Sequence, residues 1–261
     1  MLDALAPARR RLVLLVALAA LLAVVVAVSL VVVHLTRRVT PVAQYQPGPV
    51  LLVSGYGGST ASLEPLRTAL AGAGRDVVVV PPVGGGTGDL QAQAGSLARA
   101  ADAAMRRFAA TSVDVVGYSA GGVVARAWVA DHGGGSVARR VLSIGSPQHG
   151  TALAELAVGL AGGCPPACRQ LQPGSDLLRR LNAGDETPAG PAFVSVWSTS
   201  DGVVVPAASA RLSGALDLTV QSVCPRDRVA HADLPGDPVV QALLVSALGR
   251  HAPARPTGVT C

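Results

Sequence analysis

Apolar and polar positions along the 261-residue chain fall into three textures. The first is one unbroken apolar run. Between Arg11 and Arg37 no Asp, Glu, Lys or Arg occurs, and the heart of the run reads LVLLVALAALLAVVVAVSLVVV. No face of it is polar, which argues against a surface or core helix of a globular domain. At ~1.5 Å per residue it can cross a ~30 Å hydrocarbon layer. Cleaved signal peptides carry an apolar stretch of about 7–15 residues ending at small residues. This run is longer and shows no clear Ala-x-Ala site, so it is read as an uncleaved signal anchor, with a cleaved signal peptide as the alternative. Arg9-Arg10-Arg11-Leu12 is only a degenerate twin-arginine pattern. Arginines flank the run on both sides and bias its orientation little.

The second texture is short. Residues 38–48, RVTPVAQYQPG, hold two Pro, one Gly and no apolar period. They predict a linker, so the organisation expected is an anchor over 1–37, a linker over 38–48 and one soluble domain over 49–261.

The third texture alternates. Brief β-branched runs recur at Val50–Val53, Val77–Val80, Val113–Val116, Val141–Ile144, Phe193–Trp197 and Leu218–Val223. Runs apolar throughout, rather than at every second position, suit strands covered on both faces. Between most of them lie Ala-, Leu- and Arg-rich stretches that predict helices over Ser62–Ala73, Asp89–Ala110, Ala120–Asp131, Ala152–Leu160, Ser175–Leu181 and Asp237–Leu248. Ser62, Asp89, Ser175 and Asp237 stand as N-caps. The alternation predicts an α/β fold: a mostly parallel sheet of about six strands with helices on both faces, preceded by one N-terminal transmembrane helix. Reactive groups in such sheets collect where loops leave the carboxyl ends of strands.

Composition alters this picture in two places. A net charge of +5 and a pI near 9.6 suggest nucleic acid, but Arg9, Arg10, Arg11, Arg37 and Arg38 flank the apolar run. From residue 40 onward 16 Arg face 15 Asp and Glu, aromatics make up 3%, and no basic stripe remains, so nucleic-acid partners are set aside. Thirty Gly and nineteen Pro without a triplet period exclude collagen. The absence of Lys, with one Ile and one Asn, reflects genome composition rather than function. The four cysteines, Cys164, Cys168, Cys224 and Cys261, are even in number and follow an export segment, which predicts disulfides. Three pairings are possible. A local Cys164–Cys168 bridge, leaving Cys224 for Cys261, is the preferred one, and no metal-ligand spacing competes with it.

The loop after Val116 carries chemistry. Gly117-Tyr118-Ser119-Ala120-Gly121 follows an apolar strand and precedes a helix, the context in which G-x-S-x-G places a serine on a sharp strained turn. Gly117 and Gly121 remove side chains that would collide there. A serine hydroxyl needs a base, an orienting group for that base and amide donors for the oxyanion. Of five histidines, His34 borders the apolar run, His132 ends the helix after the serine and His251 lies in the Pro-rich tail. His149 and His231 both follow strands. His231, after the last strand, is the better base. Asp201 is the one acidic residue in the loop after FVSVW; Asp185 and Glu186 precede that strand, Asp114 lies inside its own, and Asp227 and Asp233 are local rivals beside His231. The order Ser119…Asp201…His231 belongs to one of the common triad scaffolds. The Gly-rich turn Ser54-Gly55-Tyr56-Gly57-Gly58 offers the amide of Tyr56, which with that of Ala120 would bind an oxyanion. A phosphate loop is excluded there because the chain has no Lys.

These segments together resemble an α/β-hydrolase, specifically a small actinobacterial-type secreted lipase or esterase, from about Pro49 to Leu248. VLLVSGYGGS resembles the oxyanion loop, VDVVGYSAGG the nucleophile elbow, VLSIGSPQHGT the G-T-P-H-x-G-T stretch, VWSTSDGVVVP the acid loop and HADLP the histidine loop. The resemblance implies Ser119 as nucleophile, Asp201 as acid and His231 as base, with His149 structural. It implies an acyl ester or lipid substrate, no cofactor and no metal, and a catalytic domain outside the cytoplasm, tethered to the cell membrane or released if the anchor is cleaved. Ser54 stands where the family often has His, and Ser146 where it often has Thr. No long lid is evident; Gly162–Gly174 would be a short cap, which favours short-to-medium acyl esters over long triglycerides. The same triad would serve an acyltransferase, a thioesterase or an amidase. Outside enzymes, the alternative is a membrane-tethered envelope protein that uses the fold for binding.

Overall fold

Six apolar runs become six parallel strands in the computed structural model, which describes residues 7–36, 39–160 and 163–261. The ends of the expected anchor (residues 1–6, Arg37, and Arg38 of the linker) and Gly162 of the expected cap lie outside the described residues. The chain divides into Met1–Val39 and Thr40–Cys261.

In the first unit α1 spans Pro7–Thr36, and its stretch Arg11–Val31 is long and apolar enough to cross a membrane, with a mean hydropathy of 3.1. In the second unit the elements run β1 (Val50–Val53), α2 (Glu64–Gly72), β2 (Val77–Val79), α3 (Leu90–Arg107), β3 (Val113–Tyr118), α4 (Ala120–Asp131), β4 (Ala138–Ile144), α5 (Ala152–Leu160), α6 (Pro166–Gln170), α7 (Asp176–Leu181), β5 (Ala192–Trp197), β6 (Leu216–Thr219), α8 (Val220–Val223) and α9 (Pro238–Ala247). The sheet order is β2-β1-β3-β4-β5-β6, and every pair is parallel. Strand side chains alternate between two cores. Leu51, Val53, Val113 and Val115 face α3 and α4, while Val50, Leu52, Val116 and Tyr118 face α2 and α9. Burial on both faces explains why the four central strands, β1, β3, β4 and β5, carry continuous apolar runs, whereas the edge strands β2 and β6 are only partly buried.

Three of the four expected caps accept main-chain amides: Asp89 from Ala92, Ser175 from Leu178 and Asp237 from Val240. Ser62 does not. It sits inside a 3₁₀ turn, Ala61–Leu63, and its hydroxyl donates back to Ser59 O, so Leu63 precedes α2 and Pro65 sets its first turn. The last apolar run also divides. β6 ends at Thr219, whose Oγ1 accepts the Ser222 amide at 2.9 Å and starts a helical turn over Val220–Val223, where strand was expected. An apolar run this short does not distinguish strand from buried helix. The helix Pro166–Gln170 falls in a stretch expected to be loop.

At the amino ends of the strands lies an ion cluster. Asp114 is fully buried and takes two bonds from Arg139, Nε to Oδ1 at 3.0 Å and Nη2 to Oδ2 at 2.6 Å, plus Arg75 Nη2 at 2.6 Å. The spare guanidinium donors reach the carbonyls of Gln44, Gly48, Leu248 and Gly249. Residues 40–48 hold only turns, yet this cluster grips them to the point where the chain leaves α9.

Candidate active site

Strand order reverses direction at β1, with β2 on one side and β3 on the other, so the loops leaving β1 and β3 part at a crevice. Ser119 stands there, between β3 and α4, at φ +54° and ψ −124°. A non-glycine residue in that region is strained and persists only where its surroundings enforce it. Here the enforcement is visible. The Ser119 amide donates to Ile144 O at 2.8 Å, and its carbonyl accepts from Gly122 at 3.1 Å. A Cβ on Gly117 would strike the Gly121 carbonyl, and one on Gly121 would strike the Val53 carbonyl. The elbow can close only because both positions are glycine. Ala120 begins α4, so the positive end of the helix dipole faces the serine.

The groups singled out by chain order meet. His231, in a 3₁₀ turn of the loop before α9, places Nε2 3.0 Å from Ser119 Oγ and Nδ1 2.7 Å from Asp201 Oδ2. Asp201, in the loop after β5, accepts the Val203 and Val204 amides on Oδ1 at 2.8 and 2.9 Å. The rivals are accounted for: Asp227 accepts the Val229 amide and shapes its own loop, and Asp233 faces solvent. His149 pairs with Glu186 at 3.0 Å and His132 with Gln91 at 2.9 Å, so neither serves Ser119. The loop after β1 abuts the serine: a Cβ on Gly55 would come within 2.9 Å of Ser119 Cβ. Among the described residues neither the Tyr56 nor the Ala120 amide donates to a main-chain acceptor, which leaves both N–H groups free to face a ligand.

Three supporting contacts carry no motif. Tyr118, the residue before the serine, donates its hydroxyl to His231 O at 3.0 Å, and its ring lies 5.2 Å from the imidazole. Burial, and after it the charges of Asp201 and Asp233, pushes its pKa up to about 12, so the phenol remains a donor. Ser198 ties the acid loop to Val229 O at 2.7 Å. Thr151 donates to Val203 O at 2.6 Å and accepts from the Val205 amide at 3.0 Å, joining the loop after β4 to the acid loop. Only their chain positions, after predicted strands, could have marked them.

Burial opposes ionisation of Asp201, but the His231 ring and the two amides outweigh it and hold the carboxyl below its ordinary value. A carboxyl lowered on folding stabilises the protein above its unfolded pKa, and that contribution is lost as pH falls through the folded value. Urea midpoints measured from pH 7 down to pH 3 are therefore expected to fall less for Asp201→Asn than for the native chain; equal falls contradict the pairing.

A cavity of about 240 Å³ opens on Ser119, walled chiefly by apolar side chains of α5, α6 and the acid loop. A larger one, about 500 Å³, lies at the amino ends of the strands around Pro47, Arg75 and Leu248, and no serine, threonine, cysteine or histidine lines it. Both disulfides of the preferred pairing are present, Cys164–Cys168 and Cys224–Cys261.

Comparison with known proteins follows the same lines. Among solved structures the chain resembles Aspergillus fumigatus lipase B, with a TM-score of 0.70 and 23% identity over 84% of this chain and 57% of that one. It also resembles the mature form of Bacillus licheniformis lipase BlEst2, with a TM-score of 0.56 and 19% identity over 70% of this chain and 84% of that one. An extracellular α/β-hydrolase from a Paenibacillus species gives a TM-score of 0.52 at 14% identity, over 78% of this chain and all of the other. These likenesses establish the α/β-hydrolase fold, and the chain spans little more than half the length of the Aspergillus lipase. No curated protein matches. The family model for lipase (class 2) matches residues 98–241, a span that contains Ser119, Asp201 and His231 and more than half of the chain. The chain belongs to the lipase (class 2) family.

Proposed function

We propose that the protein hydrolyses carboxylic esters through an acyl-enzyme on Ser119. The observation that carries this reading is the relay of 3.0 and 2.7 Å from Ser119 through His231 to Asp201, set beside an apolar cavity. His231 Nε2 takes the hydroxyl proton as Oγ attacks the ester carbonyl. Asp201 holds Nδ1 protonated and stabilises the imidazolium. The carbonyl oxygen becomes an oxyanion, bound by the amide of Tyr56 in the loop after β1 and that of Ala120 at the head of α4. The tetrahedral centre expels the alcohol, which takes the proton from His231. Water then gives a proton to His231 and attacks the acyl-enzyme; the new tetrahedral centre expels Ser119 Oγ, which takes that proton back from His231, and the acid leaves.

The family and its lipase-like neighbours support an ester or lipid substrate. The apolar α1 and two disulfides support export, with α1 retained as an anchor and the catalytic unit outside the cytoplasm. The test is turnover of nitrophenyl esters by the full chain in detergent. Hydrolysis that disappears in Ser119→Ala is expected. No hydrolysis, or hydrolysis indifferent to that change, refutes the reading. Faster turnover of thioesters, or transfer to an alcohol in preference to water, would reassign the activity within the same chemistry.

A further inference from the structure

We infer that Gln221 is a positioning residue for the reaction: its side-chain amide braces the loop that carries Asp201 against the loop that carries His231, and so holds the carboxylate on the imidazole. This inference rests on the ester-hydrolase reading and adds a residue that acts through the triad without touching the reacting atoms.

The need for a brace follows from the topology. Asp201 lies in the loop after β5 and His231 in the loop before α9. Between them in sequence runs β6, four residues long, partly buried and at the edge of the sheet. Among the described residues no main-chain hydrogen bond joins residues 198–206 to residues 224–236. The 2.7 Å contact from His231 Nδ1 to Asp201 Oδ2 therefore depends on side chains to keep the two loops in register. Hydrogen bonds weaken steeply once distance and angle leave a narrow range, so a small relative shift of the loops would spoil it.

Gln221, in α8, reaches both loops. Its Oε1 accepts the Thr199 amide of the acid loop at 2.9 Å. Its Nε2 donates to Ser198 Oγ of the same loop at 3.0 Å and to Asp227 O of the histidine loop at 3.2 Å. The effect on Ser198 is directional. Its Oγ receives two donors, Gln221 Nε2 and the Ser200 amide at 3.1 Å, so its own proton is turned to Val229 O at 2.7 Å. That bond is the one direct tie between the loops, among the described residues, besides the Asp201–His231 pair. The points held, Thr199 and Val229, each lie two residues before the side chain they control. Four residues are too few to stand as a helix alone, but α8 is fastened elsewhere. Val220 is fully buried, Cys224 at its end is bridged to Cys261, and Arg255 of the tail donates to Ser222 O at 3.3 Å. The core and the C-terminal tail thus give Gln221 a footing outside the acid loop.

The experiment is steady-state hydrolysis of one nitrophenyl ester by the full chain in detergent, with thermal unfolding of each variant alongside. Gln221→Ala should lower kcat about tenfold and move KM by no more than about twofold, since a slight misplacement of catalytic groups slows the chemical step. Gln221→Glu keeps the size of the side chain and the acceptor for Thr199 but loses both donations. It should show the same loss, and it carries the test if Gln221→Ala does not fold. Gln241 supplies the contrast: its Nε2 also donates to a carbonyl of the histidine loop, Pro235 O at 3.1 Å, but no bond joins it to the acid loop. Gln241→Ala should therefore change kcat by no more than about twofold. A double-mutant cycle separates a brace from a general loosening of the fold. A brace that works through Asp201 has nothing left to hold in Asp201→Asn, so Asp201→Asn/Gln221→Ala should stay within about twofold of Asp201→Asn alone. Unchanged kcat in both Gln221 variants, or losses that multiply with that of Asp201→Asn, overturn the inference and leave the hydrolase reading standing. No hydrolysis by the native chain defeats the hydrolase reading and the brace with it.

Discussion

Replacing His231 with alanine is expected to lower kcat for ester hydrolysis on the order of 10³-fold or more, with the protein still folded. Among the described residues the imidazole is the one base within reach of Ser119 Oγ, at 3.0 Å, and a hydroxyl without a base is a poor nucleophile at neutral pH. Asp201→Asn should cost a comparable factor, because an amide opposite Nδ1 favours the wrong tautomer. The combination His231→Ala/Asp201→Asn should fall little below His231→Ala alone, since the orienting group has nothing left to orient. Asp233→Asn supplies the contrast. That side chain lies two residues from the imidazole in sequence but faces solvent, and its loss should change kcat less than twofold. Steady-state rates on one ester, with circular dichroism of each variant, check the set. A large loss in Asp233→Asn with Asp201→Asn unaffected would exchange the two roles.

Asp114→Ala is expected to destabilise the protein by about 3–5 kcal/mol without touching the catalytic loops. Asp114 and Arg139 are fully buried, and Arg75 is partly buried, its side chain 14% exposed. Taking charges out of water is costly, and the mutual bonds offset that cost only while every member is present. Removing the carboxylate leaves Arg139 among carbonyls with no counter-charge. The damage extends further, because the same guanidinium groups hold Gln44 and Gly48 where the chain enters the unit and Leu248 and Gly249 where it leaves α9. Urea unfolding of the full chain in detergent measures it. A loss under about 1 kcal/mol would mean that water reaches Arg139 readily, and the cluster would then be no clamp.

The sheet was legible because burial on both faces leaves an unmistakable mark. VLLV, VDVV and VLSI hold no solvent-facing position, and the one aspartate among them, Asp114, is itself buried against counter-charges from elsewhere in the chain. The elbow was legible for a steric reason: only glycine fits at 117 and 121, so the backbone requirement is written in the residues themselves. Ser119, Asp201 and His231 could be selected by strand ends and chain order. Other features left no such mark. Tyr118, Ser198 and Thr151 act through single bonds to main-chain carbonyls and amides in other loops, and a lone hydroxyl has no pattern. The Asp114 cluster joins residues 44 to 249, and each of its arginines resembles an ordinary surface charge in the sequence. The end of α3 turns through Ala109 at φ +49°, a position that glycine usually fills and advertises. Pro-Pro-Ala-Cys suggests a loop, yet α6 forms there because proline tolerates a first helical turn and the bridge and Gln170 hold both ends.

The proposed hydrolysis requires that the hydroxyl at position 119 be the group activated to attack a carbonyl. Fluorophosphonate treatment of the full chain, followed by peptide mass mapping, tests it most directly. One adduct is expected, on the peptide bearing Ser119, and it should form at least a hundredfold more slowly in His231→Ala. An adduct on another serine, or equal rates with and without His231, would contradict it.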